Sequence, residues 1–253
     1  LELDYLETLI QTAKSNPNCG HIWCCFQTVI GYQKENAVPN LTTIEPILYY
    51  TRREYMTLHE LWLDTGPCNK LYKREIIQSA ELRFSEDFSL GEDWLFNLAY
   101  LDSSPNDQIA VITKPLYNYV RGNSDSLDSM YRDNLLEIYR KLNKVCMKYL
   151  HKWSLDSEQM QKFYNGRFYM YERVLNNTMQ NVGKKRCENI AWNTSFMRSD
   201  EFKEVLSMRT CPIHPIYWLA YNSGNFRNVL LADKLCRAKH RLEKIIRNDI
   251  KGC

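Results

Sequence analysis

The spacing of apolar residues changes character near Asp125, and that change bounds the fold. Before it, short apolar runs alternate with stretches of helical period. Leu1 to Ser15 reads as a helix carrying Leu3, Leu6, Leu9 and Ile10 on one face, closed by Asn16-Pro17-Asn18. His21 to Tyr32 is apolar, aromatic and β-branched, the signature of a buried strand. Gln33 to Leu41 reads as a polar loop, Thr51 to Leu63 as helical, and Lys73 to Ala80 as a short helix. A further helix is expected from Glu92 to Leu101, with Trp94, Leu95, Leu98 and Leu101 toward a core. Gln108 to Thr113 and Leu116 to Val120 read as two short strands.

After Asp125 only the helical period remains. Tyr131, Leu135, Ile138, Leu142, Val145 and Tyr149 recur at steps of three and four, and Met160, Phe163, Phe168, Tyr171, Val174 and Leu175 mark a second long helix. Further helices are expected at Asp200 to Met208 and Asn225 to Asn248. The chain therefore divides into an α/β segment, 1–127, and an all-helical region, 128–253, with no internal repeat.

Charge follows the same division. The net charge is only +3, yet the stretch from Asn225 to Cys253 holds eight Lys or Arg against three Asp or Glu, a balance of +5. The other residues together carry −2, which argues against nucleic acid as a partner. In the last helix Phe226, Val229, Leu230, Ile245 and Ile246 alternate with Lys234, Arg237, Lys239, Arg241, Lys244 and Arg247. That pattern suits an anionic membrane surface, or simply a solvated basic face. No apolar run approaches the ~20 residues of a membrane-spanning helix. Nine cysteines, an odd number without zinc-ligand spacing, fit a reduced cytoplasmic protein, peripheral at most on the inner face of the plasma membrane. The chain opens on Leu1 rather than Met, as a segment of a longer protein would.

Candidate chemistry centres on Glu92 and Asp93, adjacent carboxylates at the mouth of the Glu92 to Leu101 helix. Acids in a first turn are stabilised by the helix dipole without any chemistry. Their neighbours give a second reading. Gly91 allows close approach of a backbone or ligand. Trp94 offers a flat ring on which a sugar could stack or which could pack in a core. Gly66, Asn69 and Lys70 lie in the turn Gly66-Pro67-Cys68-Asn69-Lys70-Leu71-Tyr72, whose backbone donors and ammonium could orient a hydroxylated or anionic ligand. Tyr119 and Arg121 end the extended run from Lys114, and Gly122-Asn123-Ser124-Asp125-Ser126 after them reads as a flap or a plain polar loop.

The order of these segments carries a resemblance. Gly66-Pro67, Asn69-Lys70-Leu71-Tyr72-Lys73-Arg74-Glu75, Arg83-Phe84, Glu92-Asp93 and Pro115-Leu116-Tyr117 with Tyr119 follow one another as in bacterial family 2 glycosyltransferases. Leu3-Asp4-Tyr5-Leu6-Glu7 resembles the helix after that family's Asp-x-Asp metal motif. The match spans Leu1 to Leu127. It implies the C-terminal portion of a GT-A, Rossmann-like nucleotide-sugar transferase fold, lacking the N-terminal nucleotide-binding half. It further implies inverting transfer of a sugar from a nucleotide-diphosphate donor to a saccharide or lipid-linked acceptor, in surface polysaccharide or glycoconjugate synthesis. Asp93 would be the general base and Glu92 its orienting neighbour. Gly66, Asn69, Lys70 and Trp94 would line the acceptor side with Tyr119, and Arg121 would reach the departing diphosphate.

A divalent cation, Mn or Mg, is implied for the full-length enzyme, with its ligands upstream of Leu1. Asp125-Ser126-Leu127-Asp128 has the wrong spacing to replace them, so this chain alone is expected to bind no metal and to turn over nothing. The helical region is a candidate homodimer interface. The competing reading is a non-catalytic helical interaction or membrane-surface module on a structural α/β remnant.

Overall fold

The computed structural model describes the backbone of residues 1–30, 33–121 and 130–251; side chains within 31–36, 122–129 and 241–253 are not described. The expected flap at 122–126, the segment 125–128 and the side chains of Arg241, Lys244, Ile245, Ile246 and Arg247 thus lie outside the described residues. The fold is α/β, followed by helices alone. Two compact units form: Leu1–Met130 with Asn134–Gly166, and Tyr131–Asp133 with Arg167–Cys253.

The first unit is built on strand β1 (His21–Ile30). Its first five residues, His21 to Cys25, are buried without a break, because both of its faces are covered. On one side β1 runs parallel to β5 (Ile109–Arg121) along its whole length. On the other side its two halves meet different antiparallel partners. β4 (Lys70–Leu71) pairs with Trp23 and Ile22, and β2 (Gln33–Pro39) pairs from Gln27 onward. β3 (Ile47–Tyr50) closes the far edge against Ile109 to Ile112 of β5.

Several local expectations change. The stretch after β1 is a strand, not a polar loop, because an edge strand paired on one side tolerates polar residues. The two strands expected after Gln108 are one, β5, whose pairing with β1 shifts register around Pro115. Proline has no N–H to give the ladder, and the irregularity accommodates it. Helix α1 (Tyr5–Ser15) buries Tyr5, Leu9 and Thr12, whereas Leu3, Leu6 and Ile10 are exposed. Its rotation is fixed by Tyr5, whose hydroxyl donates to the Cys68 carbonyl at 2.6 Å. Tyr5 and Leu9 pack with Ile22, Cys24, Ala110, Ile112 and Leu116 of the sheet.

Helices α2 (Tyr55–Glu60), α3 (Arg74–Ser79), α4 (Glu92–Ser103) and α5 (Leu135–Lys152) complete this unit with the first part of α6 (Ser157–Met179). The compact units therefore do not divide at residue 127, where the composition changes. α5 turns Leu135, Ile138, Leu142, Cys146 and Leu150 into the core, and α6 is tied to α2 where Gln159 and Lys162 donate to Thr57 Oγ1 at 3.0 and 2.8 Å.

The second unit holds the rest of α6 with α7 (Arg186–Arg198), α8 (Asp200–Met208), α9 (Pro215–Asn222) and α10 (Phe226–Lys251). Its core is aromatic: Tyr171, Phe196 and Phe202 lie 5.2 to 6.1 Å apart, and Phe168 meets Tyr221 edge-on at 5.2 Å. Ser199 stops α7 and caps α8, accepting from the Phe202 N–H. α9 and α10 form a hairpin in which Tyr217 donates to Asp233 at 3.2 Å.

His21 links this packing to pH. It is 1% exposed and meets the Tyr100 ring edge-on at 5.3 Å. Burial, and then the Arg52 charge, push its pKa down from 6.5 to about 3. The folded chain thus holds the imidazole neutral while the unfolded chain protonates it near 6.5. Its stabilising contribution is complete above that pH and drains away as pH falls toward 3, with a slope of up to about 1.4 kcal/mol per pH unit. His21→Phe should flatten the acid limb of stability between pH 6.5 and 4.5, measured by urea unfolding across that range.

Candidate functional site

The site begins at a glycine. Gly91 caps α4 with φ of 84°, and a Cβ there would stand 2.6 Å from Leu142 Cδ1 of α5. Both the left-handed backbone and the contact with α5 demand glycine, so the direction in which α4 starts is fixed. Glu92 and Asp93 form its first turn. Asp93 is partly exposed. Burial raises its pKa first, the Glu92 charge raises it further, and Lys70 opposes both. Glu92 Oε2 is buried with no hydrogen-bond partner among the described residues.

Behind Asp93 the chain is tied to a buried carboxylate. Asp64, with no exposure at all, accepts from the Tyr55 hydroxyl and from Trp94 Nε1, the latter at 2.8 Å, and has His59 Nδ1 2.9 Å away. Trp94 Nε1 also lies 2.7 Å from the Tyr55 hydroxyl, and its ring stacks on His59 at 4.9 Å. Asn97, one turn further along α4, donates to the backbone carbonyls of Asp64 and Gly66 and accepts from the Tyr72 hydroxyl. Burial alone would raise the Asp64 pKa, but His59, Tyr55 and Lys70 outweigh it and hold the carboxyl below its usual range. Burial likewise works against the His59 charge, and Asp64 wins, so the imidazole titrates above its usual value.

Lys70 fills the space between this network and the sheet. Its ammonium donates to the carbonyls of Leu63 and Gly66 and to Asn69 Oδ1, and lies 4.6 Å from the centre of the Trp23 ring. Asn69 in turn donates to the carbonyls of Cys24 and Leu63 at 3.0 and 3.1 Å. Burial is the largest influence on Lys70 and lowers its pKa to about 7, against the attraction of Asp64, Cys24, Cys68 and Asp93.

The structure thus gathers Gly66, Asn69, Lys70, Glu92 and Asp93, with Trp94 behind them, and corrects three expected roles. Trp94 is 4% exposed and bonded within the core, so its face is not open to a sugar. Asn69 and Lys70 are buried, and the donors expected for a ligand are given to main-chain carbonyls. Gly66 contributes its carbonyl as an acceptor for Lys70 and Asn97. Tyr119 and Arg121 pair with one another at the end of β5, the guanidinium 5.5 Å from the ring centre. Sequence reasoning missed Tyr55, His59 and Asp64. The available signal was an acid immediately following the apolar run Leu61-Trp62-Leu63.

Among the described residues no group of three or more His, Cys, Asp or Glu side chains could hold a metal ion. The described cysteines are all free thiols, and Cys24 and Cys25 are pushed up to about 12 by burial.

No family model matches the chain, and no curated protein sequence does. Solved structures do. Residues 1-349 of S. aureus TarS in complex with UDP-GlcNAc superpose with a TM-score of 0.55 at 14% identity, over 93% of this chain and 64% of that one. The same TarS segment in complex with UDP gives 0.52 at 16% identity, over 92% and 62%. This chain has a glycosyltransferase-like fold. It spans a little under two thirds of either TarS chain.

Two measurements check this geometry. Asp64→Asn leaves a buried His59 without its anion and should lower stability by about 3 kcal/mol, and Tyr55→Phe by about 1 kcal/mol, in denaturant titrations. Asp93→Asn removes an anion that favours the Lys70 ammonium. The Lys70 pKa should therefore fall further below about 7, read from its Nζ resonance by NMR.

Proposed function

We propose that this chain supplies the acceptor side and the general base of an inverting glycosyltransferase that uses a nucleoside-diphosphate sugar. The observation that carries the reading is Asp93. It is a partly exposed carboxylate in the first turn of a helix whose start is fixed by Gly91, flanked by Glu92 and opposed from inside by Lys70. The glycosyltransferase-like fold supports the class of reaction. UDP-GlcNAc, bound by TarS in its complex, is the first donor to try.

In this reading the oxygen of an acceptor hydroxyl attacks the anomeric carbon of the donor. Its proton passes to the Asp93 carboxylate. The bond from the anomeric carbon to the diphosphate oxygen breaks, and the nucleoside diphosphate leaves with the electron pair, inverting the centre. General-base assistance of this kind is worth about 10²–10⁴ in rate. Burial, and then the Glu92 charge, raise the Asp93 pKa and strengthen it as a base, and Lys70 opposes both. Trp94, Asn69 and Lys70 act as positioning residues for α4 and its neighbouring turn rather than as ligands of the sugar.

Asp93→Asn, in the protein that carries this chain, should cut sugar transfer to saccharide acceptors by at least 10²-fold while leaving the urea midpoint unchanged. Activity of the unsubstituted protein should fall on the acid side, as pH drops through the raised Asp93 pKa and the base becomes protonated. Retention of transfer by Asp93→Asn would remove the base assignment. Calorimetry on residues 1–253 should give no micromolar binding of UDP.

A further inference from the structure

A cavity of about 500 Å³ lies within the second unit, between α7 and the start of α10. One wall is a single face of α7, carrying Cys187, Thr194, Ser195 and Arg198; Asn225 and Arg227 supply the other. The turn between α9 and α10 ties the two walls together. Gly224 takes a left-handed φ of 58°, and a Cβ there would stand 3.2 Å from Arg198 Cγ, so the arginine stem lies against backbone that a side chain would crowd. Arg198 Nε donates to the Gly224 carbonyl at 3.0 Å, and the Phe226 N–H donates to Thr194 Oγ1 at 3.2 Å. Asn225 Oδ1 accepts from the Arg227 N–H at 3.1 Å, and the Asn225 carbonyl from the Asn228 N–H at 2.9 Å. The first amides of α10 are thereby already bonded, so the side chains, not the helix terminus, make the site. What the chain leaves over is mostly donors. Arg198 has its two terminal nitrogens beyond the bonded Nε. Among the described residues the Arg227 guanidinium, the Ser195 hydroxyl and the Asn225 amide nitrogen meet no partner, and none of the lining residues is acidic.

We infer that this cavity is a binding site for a small phosphate monoester. Two guanidiniums with no acid among their neighbours on the walls repel each other. An anion between them removes that repulsion and takes charge-assisted hydrogen bonds from both. Neutral sugar hydroxyls bring donors as well as acceptors and would leave this donor set unmatched. A carboxylate offers two oxygens. A phosphate monoester offers three and about two negative charges at neutral pH, enough to meet both arginines and a hydroxyl. The volume falls within the range of about 300–1,000 Å³ usual for small-molecule sites and is more than bare phosphate fills. Ile190 and Ala191, on the same wall, give the carbon part of an ester an apolar strip. The site belongs to the second unit alone and does not rest on the sugar-transfer reading.

The test is calorimetry of the 253-residue chain with glycerol 3-phosphate, D-glycerate and glycerol. Glycerol 3-phosphate should bind with a Kd on the order of 1 mM, D-glycerate at least about tenfold more weakly, and glycerol not at all. Arg227→Gln should weaken glycerol 3-phosphate at least about fivefold. That side chain is exposed and bonds to nothing among the described residues, so the variant should keep the fold. Cys187 gives a local reading, because it is an exposed free thiol on the cavity wall. Glycerol 3-phosphate should slow its alkylation by iodoacetamide severalfold and leave that of Cys68, exposed in the first unit, unchanged. No saturable binding, binding that Arg227→Gln leaves unaltered, equal binding of D-glycerate or equal protection of both thiols would each overturn the proposal. So would capture of the chain by phosphatidic acid vesicles that glycerol 3-phosphate fails to displace.

Discussion

The candidate site keeps its shape because one carboxylate, that of Asp64, is sealed from water. An isolated buried carboxylate costs several kcal/mol and persists only where donors surround it. Here the donors come from two different helices: Tyr55 and His59 from α2, and Trp94 from α4. The backbone of Asp64 is engaged as well, its carbonyl taking the Asn97 side chain. α2, α4 and the turn between Leu61 and Gly66 are therefore coupled through one anion. Movement of any of them strands a buried polar group, and that penalty makes the arrangement specific rather than merely stable.

Lys70 extends the coupling to the sheet. Its position in β4 is set by pairing with Trp23, and its ammonium is wrapped by the carbonyls that close the 61–66 turn. A lysine so enclosed loses most of its freedom to meet a ligand. Its ammonium form is opposed by burial and favoured by Asp64 and, more weakly, by Asp93. A residue that looks in sequence like a ligand-binding lysine thus gives its hydrogen bonds to the chain itself, and lowers the pKa of Asp64 and of Asp93.

Sequence patterns disclosed the elements whose burial is one-sided and periodic. The stripes of α5 and α6, the bounds of α8 and the start of α4 follow from spacing alone, and β1 from an unbroken apolar run. Three features were hidden because long-range pairing decides them. β2 is polar because it lies at an edge; β4 is two residues long and exists only against β1; β5 looks interrupted because Pro115 forces a register shift without ending the strand. α1 carries more apolar residues than the sheet can cover, and spacing does not say which of them Tyr5 will turn inward. At the site, Glu92 and Asp93 were legible from their place at a helix mouth. Trp94 was ambiguous by nature, since an indole next to acids can face either way, and the unnoticed Asp64 decides it by accepting the indole N–H.

Asp64 and Asp93 are moved in opposite directions by their environments. Asp64 has donors on its oxygens and its pKa is held down; its proton affinity is spent on structure. Among the described residues, burial, Glu92 and Lys70 act on Asp93 through desolvation and charge rather than through a hydrogen bond. Its pKa is raised, the direction that strengthens a carboxylate as a base. Glu92 contributes to this through its charge, and its buried Oε2 has no hydrogen-bond partner among the described residues. The proposal for Asp93 thus draws on the absence of hydrogen-bond donors to it among the described residues as much as on its place in the first turn of α4.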